Sequence, residues 1–241
     1  MFKVVGIVGY KDSGKTTLTR ALSQELTNRG HEVAVIKHTH HQLDLPGKDT
    51  AILGETVGQV AIVSPQESAV FWGRPLSMEN IIAYLEADII LVEGFKTEST
   101  FPKIACLRGE PDDRDLFDGL VICAFGPSQQ VEGIHVPILD RDDVSRVADL
   151  VEQKAFKLPN LDCGGCGHER CYDLAREIVA GIGGLEECVS LQPITEVRID
   201  GQLMSMNPFI SGMVRDTIRG LLSSLKGFRK GKIEIRFGSE G

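Results

Sequence analysis

Two groups of residues in this 241-residue chain have types and spacings that could do chemistry. The first is Gly9-x-x-x-x-Gly14-Lys15-Thr16, which lies between an apolar run (Lys3–Val8) and a helical pattern. The second is Cys163-x2-Cys166-x4-Cys171-x16-Cys188, four thiols within a short segment of a chain that has only six cysteines. In the first group, a buried strand would deliver a loop whose backbone amides wrap a phosphate, and the next helix would turn its positive N-terminal end toward the same anion. Lys15 would reach the β- and γ-phosphates, and Thr16 would ligate Mg²⁺. In the second group, two thiolates separated by two residues can grip one ion or cluster. Gly164, Gly165 and Gly167 let the chain curl close to it.

The elements that must position these groups can be read from periodicity. Leu18, Ala21, Leu22, Glu25 and Leu26 recur at helical spacing after the loop, and Gly30 ends the stripe. The runs "VAVIKH" (33–38), "VAIVS" (60–64), "DIILVEG" (88–94), "KIACLR" (103–108) and "LVICAF" (120–125) read as buried strands. Helical patterns lie between several of them, at Ser77–Leu85 with Ser77 as N-cap and at Asp143–Lys154. This alternation predicts a doubly wound α/β P-loop NTPase domain with a mostly parallel sheet over residues 1–155. Ligands of such sheets sit at the carboxyl ends of the strands. Glu93, at the end of "IILVE", is therefore the candidate Mg²⁺ neighbour, while Asp88 at the opposite end reads as a cap or turn residue.

Two further stretches belong at strand ends. "KHTHHQLDLPGKDT" (37–50) holds His38, His40 and His41, which could bind a transition metal, hold an anion, or simply be solvated. Asp44 and Asp49 are candidate Mg²⁺ or water ligands. "EGFKTESTFPK" (93–103) follows the strand that ends at Glu93. Cys106 and Cys123 lie inside apolar strand patterns and read as core residues.

"GYKDSGKTTL", "KHTHH", "PGKDT" and "LVEGFK", in this order and spacing, resemble the molybdopterin-guanine dinucleotide biosynthesis protein B family over residues 1–155. The resemblance implies a homodimeric GTP-binding protein with weak GTPase activity, assisting the molybdopterin guanylyltransferase that joins GMP to molybdopterin and, beyond it, molybdoenzyme maturation. On that resemblance Gly9, Asp12, Ser13, Gly14, Lys15, Thr16 and Thr17 cradle GTP. Thr16 and Glu93 hold Mg²⁺, Asp49 belongs to the loop facing the phosphates, and Lys15, Asp49 and Glu93 are the candidate catalytic residues. The preference for GTP over ATP rests on the resemblance. One departure from the family pattern is a shorter segment between His41 and Pro46, which would alter specificity if that loop senses the partner or pterin.

The cysteine segment, expected as a domain over residues 156–190, reads as a metal site. Its apolar positions Leu174, Ala175, Ile178 and Val179 share a helix face after Cys171, and Gly181, Gly183 and Gly184 turn the chain so that Cys188 can return. Structural zinc favours two Cys-x2-Cys pairs or mixed Cys and His, whereas here there is one pair and two single cysteines, with His168 as a possible substitute. "CGGCGHERC" with the late Cys188 resembles the four-cysteine [4Fe–4S] domain of corrinoid iron–sulfur proteins, which implies a [4Fe–4S] cluster over zinc. Residues 191–241 read as a small α+β unit. It comprises a hairpin around Asp200–Gly201, a helix from Asn207 and Pro208 to about Leu225, a stop at Gly227, and a last strand at 232–237. Met204 and Met206 read as packing residues of this unit.

Composition bounds the alternatives. A net charge of −8 argues against a nucleic-acid partner, and the +3 carried by residues 191–241 leaves −11 on the rest. The run Ile89–Val92 is far below the roughly 18 residues that span a bilayer, and the chain reads as cytoplasmic, with no membrane partner. In such a reducing compartment, clustered cysteines read as metal ligands before disulfides. Two other functions fit the same residues: a nucleotide-dependent metallochaperone and a redox-regulated nucleotide-binding switch.

Overall fold

The computed structural model describes residues 2–41, 43, 47–127, 135–192, 195–199, 201–229 and 231–235. Asp44, Asp200 and positions 236–237 of the expected last strand lie outside them. The chain runs β1 (Lys3–Gly9), α1 (Lys15–Asn28), β2 (Val33–Lys37), α2 (Asp49–Gly54), β3 (Gln59–Val63), β4 (Ser68–Trp72), α3 (Met78–Ile82), β5 (Ile89–Glu93), β6 (Lys103–Cys106), β7 (Val121–Phe125) and β8 (Ile138–Leu139). It continues through α4 (Val144–Lys154), α5 (Cys171–Ala180), β9 (Arg198–Ile199), β10 (Gln202–Leu203) and α6 (Pro208–Ser223).

Six strands form one parallel sheet in the order β2-β5-β1-β6-β7-β8. Its central strands are apolar throughout because helices cover both faces. On one face Val5, Ile7, Leu91 and Ile104 pack against Leu18, Leu22 and Leu26 of α1 and Val147, Ala148 and Val151 of α4. On the other, Val4, Ile90, Val92 and Phe101 pack against Met78 and Ile82 of α3. Residues adjacent along a strand thus serve opposite faces. Each fully buried leucine of α1 contributes roughly 1.5–3 kcal/mol by leaving water. The Ser77 hydroxyl accepts from the Asn80 amide, capping α3 as expected, although the helix stops at Ile82.

Three strand expectations are corrected. "VAIVS" does not join the sheet: β3 pairs antiparallel with β4, and Ile62 and Val63 are exposed. Only four residues separate these strands, and the turn is closed by the Ser64 hydroxyl and the Glu67 amide at 3.0 Å. So short a connection permits only antiparallel pairing, since a parallel neighbour needs a crossover of a dozen residues or more. β2 is the sheet's edge rather than a buried strand, leaving Val35 exposed. Residues 232–235 form no strand: among the described residues no neighbouring strand pairs with them, and a strand exists only as part of a ladder.

The cysteine segment packs on the sheet domain. Cys171, Leu174, Ala175 and Cys188 share an apolar cluster with Leu120, Phe156 and Leu158, and the Tyr172 hydroxyl donates to the Asp118 carbonyl at 2.5 Å. β9 and β10 form the expected hairpin. Asn207 caps α6 through the Ile210 amide at 2.9 Å, with Pro208 in its first turn. Met206 is buried, but the Met204 side chain is exposed, a correction to its reading as a packing residue: its amide still donates across the hairpin to the Val197 carbonyl at 2.8 Å, but among the described residues nothing covers that face of so short a ribbon.

Candidate functional site

The loop after β1 is shaped by two glycines. Gly14 has φ 89, the left-handed region open to glycine, and leads directly into α1. A Cβ on Gly9 would fall 2.4 Å from Ser13 Oγ and 2.7 Å from the Cys106 carbonyl, so no side chain fits there. Asp12 also has positive φ, at 60°. Among the described residues no side chain caps α1 and none accepts from the amides of its first turn, which face the loop. Ser13 Oγ is buried and unpaired, an expensive state for a hydroxyl unless a polar ligand reaches it. Lys15 Nζ donates to the Tyr10 carbonyl at 2.5 Å, folded back on its own loop. Thr17 is exposed beside it. Free amides, an unpaired hydroxyl and a flexible ammonium form a donor set suited to a phosphate chain.

The sheet register brings the second half of the site to the loop. Glu93 ends β5, with Ile7 of β1 on one side and Lys37 of β2 on the other. The Thr16 hydroxyl donates to Glu93 Oε1 at 2.8 Å. Lys37 Nζ lies 3.0 Å from that oxygen and 3.3 Å from Thr16 Oγ1. Burial alone would raise the pKa of Glu93, but Lys37 and Thr16 outweigh it and hold the carboxyl below its ordinary value. A hydroxyl and a buried carboxylate bridged by a cation make a place where Mg²⁺ could replace an ammonium. Lys37 was not singled out from the sequence. Its signal was its position at the carboxyl end of "VAVIK", beside the strand that carries Glu93.

Other candidates lie apart. Asp49 opens α2, is exposed, and makes no hydrogen bond or ion pair with the phosphate loop among the described residues. Asp88 sits at the far end of β5 and meets His31 Nδ1 at 3.0 Å. His38 contacts His40 and Phe95 edge-on, at 4.6 and 4.8 Å between ring centroids. His38, His40 and His41 supply no three-ligand metal group among the described residues.

Cys163, Cys166, Cys171 and Cys188 converge on one small cavity, with His168, Leu174 and Ser190 also in its wall. Gly164 and Gly167 have φ 69 and 89. A Cβ on Gly165 would meet Val189 Cγ2 at 2.5 Å, so glycine lets the first cysteine loop close on the segment carrying Cys188. Asp162 Oδ1 accepts from the Cys171 amide at 2.6 Å and anchors α5 to this loop. Burial raises the thiol pKa values of Cys171 and Cys188, and for Cys188 the neighbouring Cys171 and Cys166 add to the rise. Such thiols ionise readily only with a metal partner. Four thiolates around one cavity could hold a cluster, each on a different iron, or a single tetrahedral ion. Cys106 and Cys123 lie in the core, each thiol pushed up to about 12 by burial. A group not anticipated from the sequence lies nearby: ligand atoms of His168, Glu177 and Glu187 all fall within 4.8 Å of one another.

Comparison with known proteins adds the family context. A family model described as "Molybdopterin guanine dinucleotide synthesis protein B" matches residues 4–123, and one described as "Putative Fe-S cluster" matches residues 158–190. A "Putative molybdopterin-guanine dinucleotide biosynthesis adapter protein" from Methanocaldococcus jannaschii is 31% identical over 233 residues, covering 93% of this chain and 92% of its own. That coverage leaves too little of the chain unmatched to omit the cysteine segment. The Escherichia coli molybdopterin-guanine dinucleotide biosynthesis adapter protein is 33% identical over 164 residues, 63% of this chain and 92% of its own. The crystal structure of Bacillus subtilis MobB superposes with a TM-score of 0.54 at 23% identity, covering 64% of this chain and 99% of that one. This last likeness establishes the shared fold.

Proposed function

The chain belongs to the molybdopterin guanine dinucleotide synthesis protein B family, and on that premise we propose that it is an adapter in molybdopterin-guanine dinucleotide biosynthesis that binds GTP with Mg²⁺ and carries a [4Fe–4S] module. The observation that carries the nucleotide reading is the contact between Thr16 and Glu93 at the mouth of the Gly9–Thr17 loop, with Lys37 bridging both.

In this reading the loop amides and the first turn of α1 hold the phosphates, and Ser13 Oγ gains the partner it lacks. Lys15 leaves the Tyr10 carbonyl for the β- and γ-phosphate oxygens, a charge-assisted and therefore stronger bond. Thr16 and Glu93 would hold Mg²⁺, which would neutralise phosphate charge, and Lys37 would then withdraw to solvent. Among the described residues no second carboxylate or imidazole bonds to Thr16 or Glu93 as a base, which accords with weak hydrolysis and an accessory role. Asp49 would act only after α2 moves toward the loop. The four cysteines hold the cluster, which would supply either one-electron chemistry or bracing, in a domain over 156–190, with 191–241 as a docking unit. The expected homodimer and cytoplasmic location complete the proposal. The exposed apolar side chains Ile62, Val63 and Val70 of the β3–β4 hairpin offer a surface for self-association.

The test is reconstitution. Added to a molybdopterin guanylyltransferase with molybdopterin and GTP·Mg²⁺, the chain should raise the yield of the dinucleotide, and its Lys15→Ala variant should not. Equal yields with and without the wild-type chain at every ratio would refute the adapter role.

A further inference from the structure

After β5 the chain turns sharply over the phosphate loop. Gly94 has φ 96, and a Cβ there would lie 2.8 Å from His38 Cβ, so only glycine fits. Phe95 follows with φ 46, a strained conformation for a bulky residue and one that persists only where the surroundings enforce it. The enforcement comes from below. Lys103, 1% exposed, donates from Nζ to the Lys96 carbonyl at 2.8 Å and to Asp118 Oδ2 at 2.5 Å. An ion pair between the buried Lys103 and the half-buried Asp118 therefore pins the backbone of Lys96.

The Lys96 side chain returns to the loop. Its Nζ stands 3.5 Å from the centroid of the Tyr10 ring, and the Tyr10 carbonyl is the group that holds Lys15 Nζ. The Arg108 guanidinium also approaches this ring, 4.7 Å from its centroid, but is bound by both carboxylate oxygens of Asp112 at 2.7 Å. Lys96 has no ion pair among the described residues. Burial and then the charges of Lys15 and Arg108 lower its pKa, against the smaller opposing pull of Asp112 and Asp115. A positioned cation without a counter-ion thus stands beside the lysine of the phosphate loop.

We propose that Lys96 is a second phosphate-contacting lysine, whose ammonium leaves the Tyr10 ring to meet the terminal phosphate of a bound nucleoside triphosphate and so distinguishes triphosphate from diphosphate. This rests on the reading of Gly9–Thr17 as a nucleotide loop. A cation on an exposed aromatic face is held more weakly than one bonded to a phosphate oxygen, so the exchange is favourable when the third phosphate is present. A diphosphate leaves Lys96 where it is.

The experiment is calorimetry with Mg²⁺ and either a non-hydrolysable GTP analogue or GDP, on the wild-type chain, Lys96→Met and Lys96→Arg. The Met variant should lose about 10- to 100-fold in triphosphate affinity and less than about twofold in GDP affinity. The Arg variant should keep most of the discrimination. Retained GDP binding also certifies that the Met variant folds. Equal losses for both nucleotides, or no loss for either, would overturn the proposal while leaving the loop reading intact. Unchanged triphosphate affinity with lost binding of inorganic phosphate to the GDP-loaded chain would assign Lys96 to a separate phosphate group and overturn it too. A wild-type chain that binds neither nucleotide would defeat the loop reading itself, and this proposal with it.

Discussion

Lys37 Nζ and Glu93 Oε1 stand 3.0 Å apart, at paired positions of neighbouring parallel strands. Glu93 is buried and Lys37 is largely exposed, so the lysine can leave at little cost while the carboxylate cannot remain unpaired. The bridge explains how a buried acid stays ionised beside the Gly9–Thr16 loop.

If Lys37 and Mg²⁺ compete for the same oxygens, Lys37→Met should lower the Mg²⁺ concentration that half-saturates nucleotide binding, by about three- to tenfold. Titrating Mg²⁺ at fixed nucleotide, with the wild type in parallel, measures this. A Mg²⁺ requirement that does not move would show that the two cations never share the site.

Lys15→Ala should reduce nucleotide affinity by at least about 100-fold, since the lysine is the main point charge on the phosphates. Calorimetry reads the loss directly, and unchanged affinity would sink the phosphate-loop assignment.

Anaerobically purified protein should contain about four irons and four sulfides per chain. Serine at Cys163, Cys166, Cys171 or Cys188 should lower both, whereas Cys106→Ser should leave iron content unchanged, because that thiol lies in the core of the sheet. Zinc without sulfide would make the knot a structural clip.

His31 links Asp88 at 3.0 Å and Glu152 at 2.8 Å, and hydrogen bonds to both raise its pKa above the ordinary 6.5. The stabilisation it gives is therefore complete below about pH 6.5 and fades as pH rises through the higher folded value. Asp88 and Glu152 are both lowered, first by their bonds to His31, so their share is complete above about pH 4.5 and is lost in acid. These groups are partly exposed, which limits the effect to less than about 1 kcal/mol. Urea midpoints measured from pH 6 to 8 should fall more for the wild type than for His31→Ala. Parallel curves would remove His31 from the account.

The loop after β1 stood out because its pattern is local: a strand, glycines at fixed offsets, a lysine and a threonine within eight residues. The place of Glu93 was legible because a strand of four apolar residues and a terminal acid has only one carboxyl end. The cysteine set was legible from spacing alone. The positions of Lys37 and Lys96 were not foreseen because they depend on which strand lies beside which and on a turn forced through Phe95, and neither leaves a periodic trace. The β3–β4 hairpin was misread because "VAIVS" is as apolar as a sheet strand, and only its short turn decides its pairing.

The sequence by itself determined the alternation of strands and helices, the glycines of the loop after β1, and which four cysteines form one set. All of these follow from covalent chemistry and periodicity over a few residues. Only the tertiary structure decided that Glu93 meets Thr16 and Lys37, that Lys96 rests on Tyr10 beside Lys15, and that the four cysteines line one cavity. Those relations join residues distant along the chain, and strand order and the packing of loops over the sheet's carboxyl edge bring them together.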